Sequence, residues 1–231
     1  MLQQVAKMDE IGEDWQLLHE FFHFLHAIQK YLYFCIKEMN LLRRHIKQGE
    51  VYRRSDLEYY STAIDRHLAQ LTKDGTLVKL NQGLYYAPKQ SKFGAVPPDD
   101  RQVVERFLKD EDFLLVSPNS FNSLGLGLTQ LYNTTWVYNH KRKGEFQLNG
   151  KTFEFKLKSS FPKNISREYL LVDLINNLDN LTEDQTQALD KLPHHVRSFN
   201  ADVLMKATQQ YGTGKTKRTL KSIVRNVLQH D

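Results

Sequence analysis

His19-Glu20-Phe21-Phe22-His23 sets two histidines one helical turn apart with a glutamate between them. On a helix, this H-E-x-x-H spacing can hold zinc and supply a general base. A catalytic centre of that kind also needs a third ligand and an open coordination position. His26 continues the face, and Glu38 and Glu50 follow, but they complete no known zinc spacing. The motif therefore reads as polar positions on a helix packed through phenylalanines, with a zinc hydrolase as the remote alternative. Gly212-Thr213-Gly214-Lys215-Thr216 imitates the end of a phosphate-binding loop. Its required first glycine would be residue 209, which is Gln209, and the segment follows a helical pattern where a P-loop follows a strand. The simpler reading is a capped start to a last helix whose Lys215, Lys217, Arg218, Lys221 and Arg225 are either a solvated face or a second contact to DNA or an acidic partner. Gly125 and Gly127 do not complete a G-x-G-x-x-G, and no Ser-His-Asp, Cys-His or paired-carboxylate set stands out. No catalytic residue, metal ligand or cofactor is expected, and the chain is expected not to be an enzyme.

The totals narrow the classes further. A chain of 231 residues with 40% hydrophobic content can build one large core or two small ones without staples. One cysteine, Cys35, excludes an intramolecular disulfide framework and fits a reducing cytoplasm. The acidic, polar start MLQQVAKMDEIGEDW does not resemble a signal peptide. The net charge of +5 is unevenly placed. Residues 1–39 carry three Lys/Arg against six Asp/Glu, residues 40–92 ten against five, and the remainder nineteen against sixteen. A basic island of that length is a plausible footprint for phosphate.

Elements follow from periodicity. Leu18, Phe21, Leu25, Ile28, Leu32, Cys35 and Met39 recur at steps of three and four, so Trp15 to Met39 is expected to be helical. Lys30 and three histidines interrupt the stretch, and its apolar part is shorter than the ~20 residues a bilayer requires, so no membrane association is expected. Phe22, Phe24, Tyr31 and Phe34 make the helix apolar nearly all round, which predicts cover from its own winged domain or from a second copy in a homodimer. Leu41 to Gln48 continues helical, Gly49 breaks it, Ser55 is expected to cap a short helix, and Ser61 a second one over Thr62 to Lys73. Gly75 ends that helix, and two alternating stretches, TLVKL and LYYA, pair around Asn81-Gln82-Gly83.

Helix, short helix, helix, ribbon is the order of a winged helix-turn-helix, whose third helix enters the major groove while the ribbon touches the flanking backbone. The outward face of that third helix presents Thr62, Arg66 and Lys73, with Ser61, Asp65 and Gln70 at its edges. The proline-rich PKQSKFGAVPPDD reads as a linker, and the grouped strands and helices after it indicate an α+β second domain. The expected organisation is a helical extension over 1–39, a winged helix-turn-helix over 40–90 and an α+β domain over 91–231.

GEVYRRSDL and STAIDRHLAQLTKDGTLVKLNQGLYYAP resemble the N-terminal winged helix of AbiEi-type antitoxins of bacterial type IV toxin-antitoxin systems. SPNSFNSLGLGLTQLYNTTWVYNHKRKGEF is similar to the second domain of that family's relatives. The resemblance runs from about Asn40 to Leu181, more loosely to the C-terminus, and leaves residues 1–38 uncovered, so Met39 could be an internal methionine or a natural start. It implies a DNA-binding autorepressor of its own operon whose partner is a separate nucleotidyltransferase-like toxin, with the antidote activity in the second domain. It places Arg54, Ser61, Thr62, Asp65, Arg66 and Lys79 in the DNA-facing part, to which the fold adds Lys73, Asn81 and Gln82. Double-stranded operator DNA is the expected partner, and an inverted repeat is its expected form in the case that α-helical pairing makes a homodimer. The alternatives are a winged-helix protein-interaction module and a stand-alone regulator without a toxin.

Overall fold

Two units divide the chain, Met1–Pro98 and Asp99–Asp231. The computed structural model describes residues 2–182 and 185–229, with side chains described at 19 and over 21–182 and 185–227. The first unit opens with α1 (Leu2–His45), one helix of 44 residues that joins the apolar stretch to the winged domain without a break. Only its C-terminal end is packed. Met39 and Leu42 share a core with Leu57, Ile64, Leu68, Leu71, Leu77 and Ala87. Phe21, Leu25, Ile28 and Leu32 on the same face are exposed, as are Phe22, Phe24 and Tyr31 beside it. The winged domain thus covers only the end of the helix.

After a turn at Gly49 (φ 89°) come β1 (Val51–Arg53), α2 (Arg54–Leu57), a 3₁₀ turn over Glu58–Tyr60 and α3 (Ile64–Lys73). The expected caps differ from those found. Helix α2 starts one residue before Ser55, and the Arg53 amide donates to Asp56 Oδ2 at 3.0 Å. Helix α3 starts at Ile64, and Ser61 is turned into the core, 5% exposed, where its Oγ accepts from the Ala63 amide at 3.1 Å.

Strands β2 (Val78–Asn81) and β3 (Leu84–Tyr86) form the wing, and β1 pairs with the other edge of β3, giving the order β1-β3-β2. All pairs are antiparallel, with Val51 and Val78 both opposite Tyr86. Gly83 (φ 69°) turns the wing tip in a backbone region that side chains disfavour. Tyr86 is buried and Tyr85 half-buried, as strand alternation predicts.

The stretch expected to be a linker is a second hairpin, β4 (Lys89–Ser91) with β5 (Gly94–Val96). Tyr86 Oη anchors it by donating to the Val96 carbonyl at 2.8 Å, and Pro97 and Pro98 follow it without interrupting its ladder. Residues 91–98 therefore belong with the first unit, which ends at Pro98.

The second unit begins with α4 (Asp100–Leu108), capped by Asp99, whose carboxylate accepts from the Gln102 amide at 3.1 Å. Strands β6 (Phe113–Val116), β7 (Thr134–Asn139), β8 (Gly144–Leu148) and β9 (Lys151–Leu157) form a sheet of order β6-β7-β9-β8. Its outer pairs are antiparallel and β7–β9 is parallel. Asn149 (φ 52°) and Gly150 (φ 72°) make the two-residue turn predicted between β8 and β9. Helices α5 (Arg167–Asn177), α6 (Gln185–Val196), α7 (Ala201–Tyr211) and α8 (Gly214–Gln229) follow. Their apolar faces build one core with the sheet, through residues such as Trp136, Tyr138, Leu171, Leu204 and Leu220. The fold is α+β, with a helix at its N-terminus and helices at its C-terminus.

Candidate nucleic-acid interface

A helix start has unpaired amides that need acceptors. In the turn just before α3, an acceptor for a free amide comes from α1. Glu38, 8% exposed, accepts from the Thr62 amide at 3.0 Å and from Thr62 Oγ1 at 3.3 Å. Ser61 Oγ lies 3.4 Å from the same carboxylate and 2.7 Å from His67 Nδ1. This Glu-Ser-His grouping is not a nucleophile arrangement, because the carboxylate touches the serine and not the histidine, and all three groups are buried. It holds the third helix at a set angle on the first. Burial, reinforced by the Arg66 charge and opposed by Glu38, keeps the His67 imidazolium below its ordinary pKa.

Thr62, Asp65, Arg66, Ala69, Gln70 and Lys73 are exposed along α3 or just before it. The structure divides them. Arg54 donates to both Asp65 oxygens, at 2.7 and 2.9 Å, and to Glu58 at 2.7 Å. The Arg54 hydrogen bond holds the Asp65 carboxyl below the usual range, and Asp65 in turn raises Arg54. Arg54 thus neutralises an acid that would otherwise repel phosphate. Arg66 turns to α1, donating to Tyr31 Oη at 2.7 Å and Cys35 Sγ at 2.9 Å with its guanidinium over the Tyr31 ring. Gln70 and Lys73 lie on the remaining exposed part of the helix. Arg43 pairs with Asp74 beyond the helix end.

On the wing, Lys79 is exposed opposite Tyr85. Asn81 Oδ1 accepts from the Gln82 amide at 2.6 Å, which stiffens the tip and leaves the Gln82 side chain exposed. Of the residues expected to face DNA, Thr62, Arg66, Lys73, Lys79 and Gln82 are exposed, Arg54 and Asp65 form a pair, Asn81 shapes the turn, and Ser61 is internal. Glu38 and His67 were missed. Their only local signal is an acid and an imidazole at positions where helical spacing expects apolar residues.

The other motifs stay apart from this surface. His19 and His23 are exposed on α1 with rings 4.4 Å apart, and among the described residues no group of three His, Cys, Asp or Glu side chains converges. Gly212 and Thr213 make the α7–α8 turn and Gly214 to Thr216 open α8, with Lys215 paired to Asp179 at 3.0 Å and Thr213 Oγ1 2.9 Å from Thr216 Oγ1. In the second unit a cleft of about 840 Å³ opens over β7 and β9, lined by Trp136, Glu145, Glu154, Lys156 and Asn177 among others. Lys156 Nζ lies 3.6 Å from the centre of the Trp136 ring and 3.3 Å from Glu154, and burial lowers its pKa against that pairing. Below the cleft, fully buried Asp173 accepts from Tyr138 at 2.8 Å, Lys158 at 2.7 Å and Asn177 at 3.1 Å. That carboxylate is saturated by donors and has a structural role.

No family model matches the chain, and no curated protein matches it. Among solved structures it is similar to the crystal structure of the RV2827C protein from Mycobacterium tuberculosis. That likeness has a TM-score of 0.53 at 14% identity, over 83% of this chain and 76% of the other. It is a likeness of fold. No helix among the described residues is long and apolar enough to cross a membrane.

Proposed function

We propose that the protein is a cytoplasmic bacterial DNA-binding repressor that acts on its own operon, and the antitoxin of a type IV pair whose toxin is nucleotidyltransferase-like. One observation carries the DNA-binding part: a third helix is locked on the first by Glu38 and followed by a stiff wing, with Gln70, Lys73, Lys79 and Gln82 on exposed surface. Polar and cationic side chains on a helix of groove size, beside a second cationic element, fit the major groove and flanking phosphates. The antitoxin part rests on the family resemblance of the motifs, and it assigns the second unit to the toxin. No catalytic step is proposed.

Titration of the upstream region of its own gene, at several salt concentrations, tests this. Specific binding should weaken steeply and linearly in log-log form as salt rises. Arg66→Ala should weaken it roughly ten- to hundredfold, through lost contact to DNA or lost support from α1. Binding equally weak to every sequence, or absent at low salt, would overturn the reading in favour of a winged helix that binds protein. A nucleotidyltransferase-like reading frame immediately downstream, toxic alone and harmless when co-expressed with this chain, is the expected result for the antitoxin part; the absence of such a frame would overturn that part alone.

A further inference from the structure

The apolar face of α1 follows a heptad. Phe21, Leu25, Ile28, Leu32, Cys35, Met39 and Leu42 alternate steps of four and three, the seam of a coiled coil. The chain fills that seam only at its lower end, where Met39 and Leu42 enter the core of the winged domain. Above it Phe21 is 56% and Leu32 54% exposed, flanked by Phe22, Phe24 and Tyr31. Seven such half-exposed side chains present on the order of 700 Å², close to the roughly 800 Å² per partner of a specific interface.

We propose that this segment pairs antiparallel with the same segment of a second copy. An apolar seam of this length suits a second seam of the same kind. In an antiparallel pair each a position of one helix meets a d position of the other. A two-fold axis at the level of His26 and Ala27 sets Phe21 against Leu32 of the partner subunit and Leu25 against Ile28 of the partner subunit, so each of the four exposed seam layers closes on an apolar layer. Phe24 then flanks Tyr31 of the partner subunit, while the Tyr31 hydroxyl stays satisfied by Arg66. A parallel pair would set the two winged domains side by side at one end of the helices, so the direction of pairing fixes their spacing. In the antiparallel pair the winged domains lie beyond opposite ends of the paired segment. A groove of about 240 Å³ between α1 and α3, lined by Leu32, Cys35, Met39 and Arg66 among others, lies where the seam passes from the partner to the chain's own domain.

The geometry has a consequence that rests on the DNA-binding reading. Twenty-five residues of helix separate the two Met39 positions, about 37 Å at the helical rise. Successive major-groove faces of DNA are about 34–36 Å apart. The operator should therefore contain two inverted half-sites about 10–11 base pairs apart, centre to centre.

Sedimentation of the full chain without DNA tests the dimer. A dimer at micromolar concentration is expected, and Ile28→Asp should convert it to a monomer that keeps its helical content and the fold of both units, because Ile28 is exposed in the single chain. Oxidative crosslinking tests the direction. Phe21→Cys/Cys35→Ser mixed with Leu32→Cys/Cys35→Ser should give a crosslinked dimer, whereas neither variant alone should, nor wild type through Cys35. A monomeric wild-type chain, a larger assembly, or a Cys35–Cys35 crosslink would overturn the proposal. On DNA, Ile28→Asp should lose affinity for a two-half-site operator and not for one half-site. A protein that dimerises as described but ignores DNA would refute the repressor reading and leave the dimer standing.

Discussion

Glu38 fixes the turn before α3 from 24 residues away. Leaving a partly buried amide without its acceptor usually costs about 1–3 kcal/mol, and Glu38→Ala removes the acceptor of the Thr62 amide and hydroxyl, so its loss should cost the first unit about 1–2 kcal/mol by urea unfolding. His67 adds a pH dependence whose sign follows from its lowered pKa. As pH falls below the ordinary histidine value near 6.5, the unfolded chain takes up a proton that the folded site resists. The stability from neutral His67 is therefore complete above that pH and lost as pH falls through the window down to the folded value. Unfolding midpoints at pH 7.5 and 5.5 should differ for wild type and differ less for His67→Gln. At the wing, Lys79 is exposed and should meet backbone phosphate. Lys79→Ala should lower affinity for all sequences alike and reduce the salt slope by about one unit; a loss that depends on base sequence would make it a reader of bases.

At the scale of elements, α3 and the wing depend on different physics. Leu68 is buried at the centre of the small core, and Leu68→Ala should destabilise the first unit by about 2–5 kcal/mol with its m-value unchanged. Gly83→Val forces a β-branched residue into positive φ and should unpair the wing while α3 persists, visible as lost amide protection in β2 and β3 with protection kept around Leu68 and Leu71. Both elements were legible in the sequence because their signals are local: helical spacing, a glycine at each turn and strand alternation. The Asn149-Gly150 turn was legible for the same reason. What escaped was long-range. Ser55 and Ser61 have cap chemistry, yet Ser55 lies inside α2, whose start Asp56 satisfies, and Ser61 lies three residues before α3, in a turn that the distant Glu38 holds. The β4–β5 hairpin hid behind prolines, because a ladder held by Tyr86 and Ser91 leaves no alternation in a strand exposed on both faces. The parallel β7–β9 pair has no turn signal at all.

Across the whole molecule, each unit has a core of its own, so the two should separate without unfolding. A chain ended after Pro98 should fold and retain operator binding, whereas residues 99–231 should fold and bind no operator specifically; the reverse result would relocate recognition to the second unit. Their routes to the native state should also differ. The β8–β9 hairpin is joined by two residues and the β6–β7 pair is antiparallel, so each can assemble locally. The sheet is complete only when these two pairs zip together along β7 and β9, a seam whose alignment no turn dictates. A slip of two residues there would keep every side chain on its proper face and only misplace it along the strand. Residues 99–231 should accordingly refold more slowly than 1–98, with a slow phase that is independent of protein concentration and marks the search for register at Val137 and Phe155.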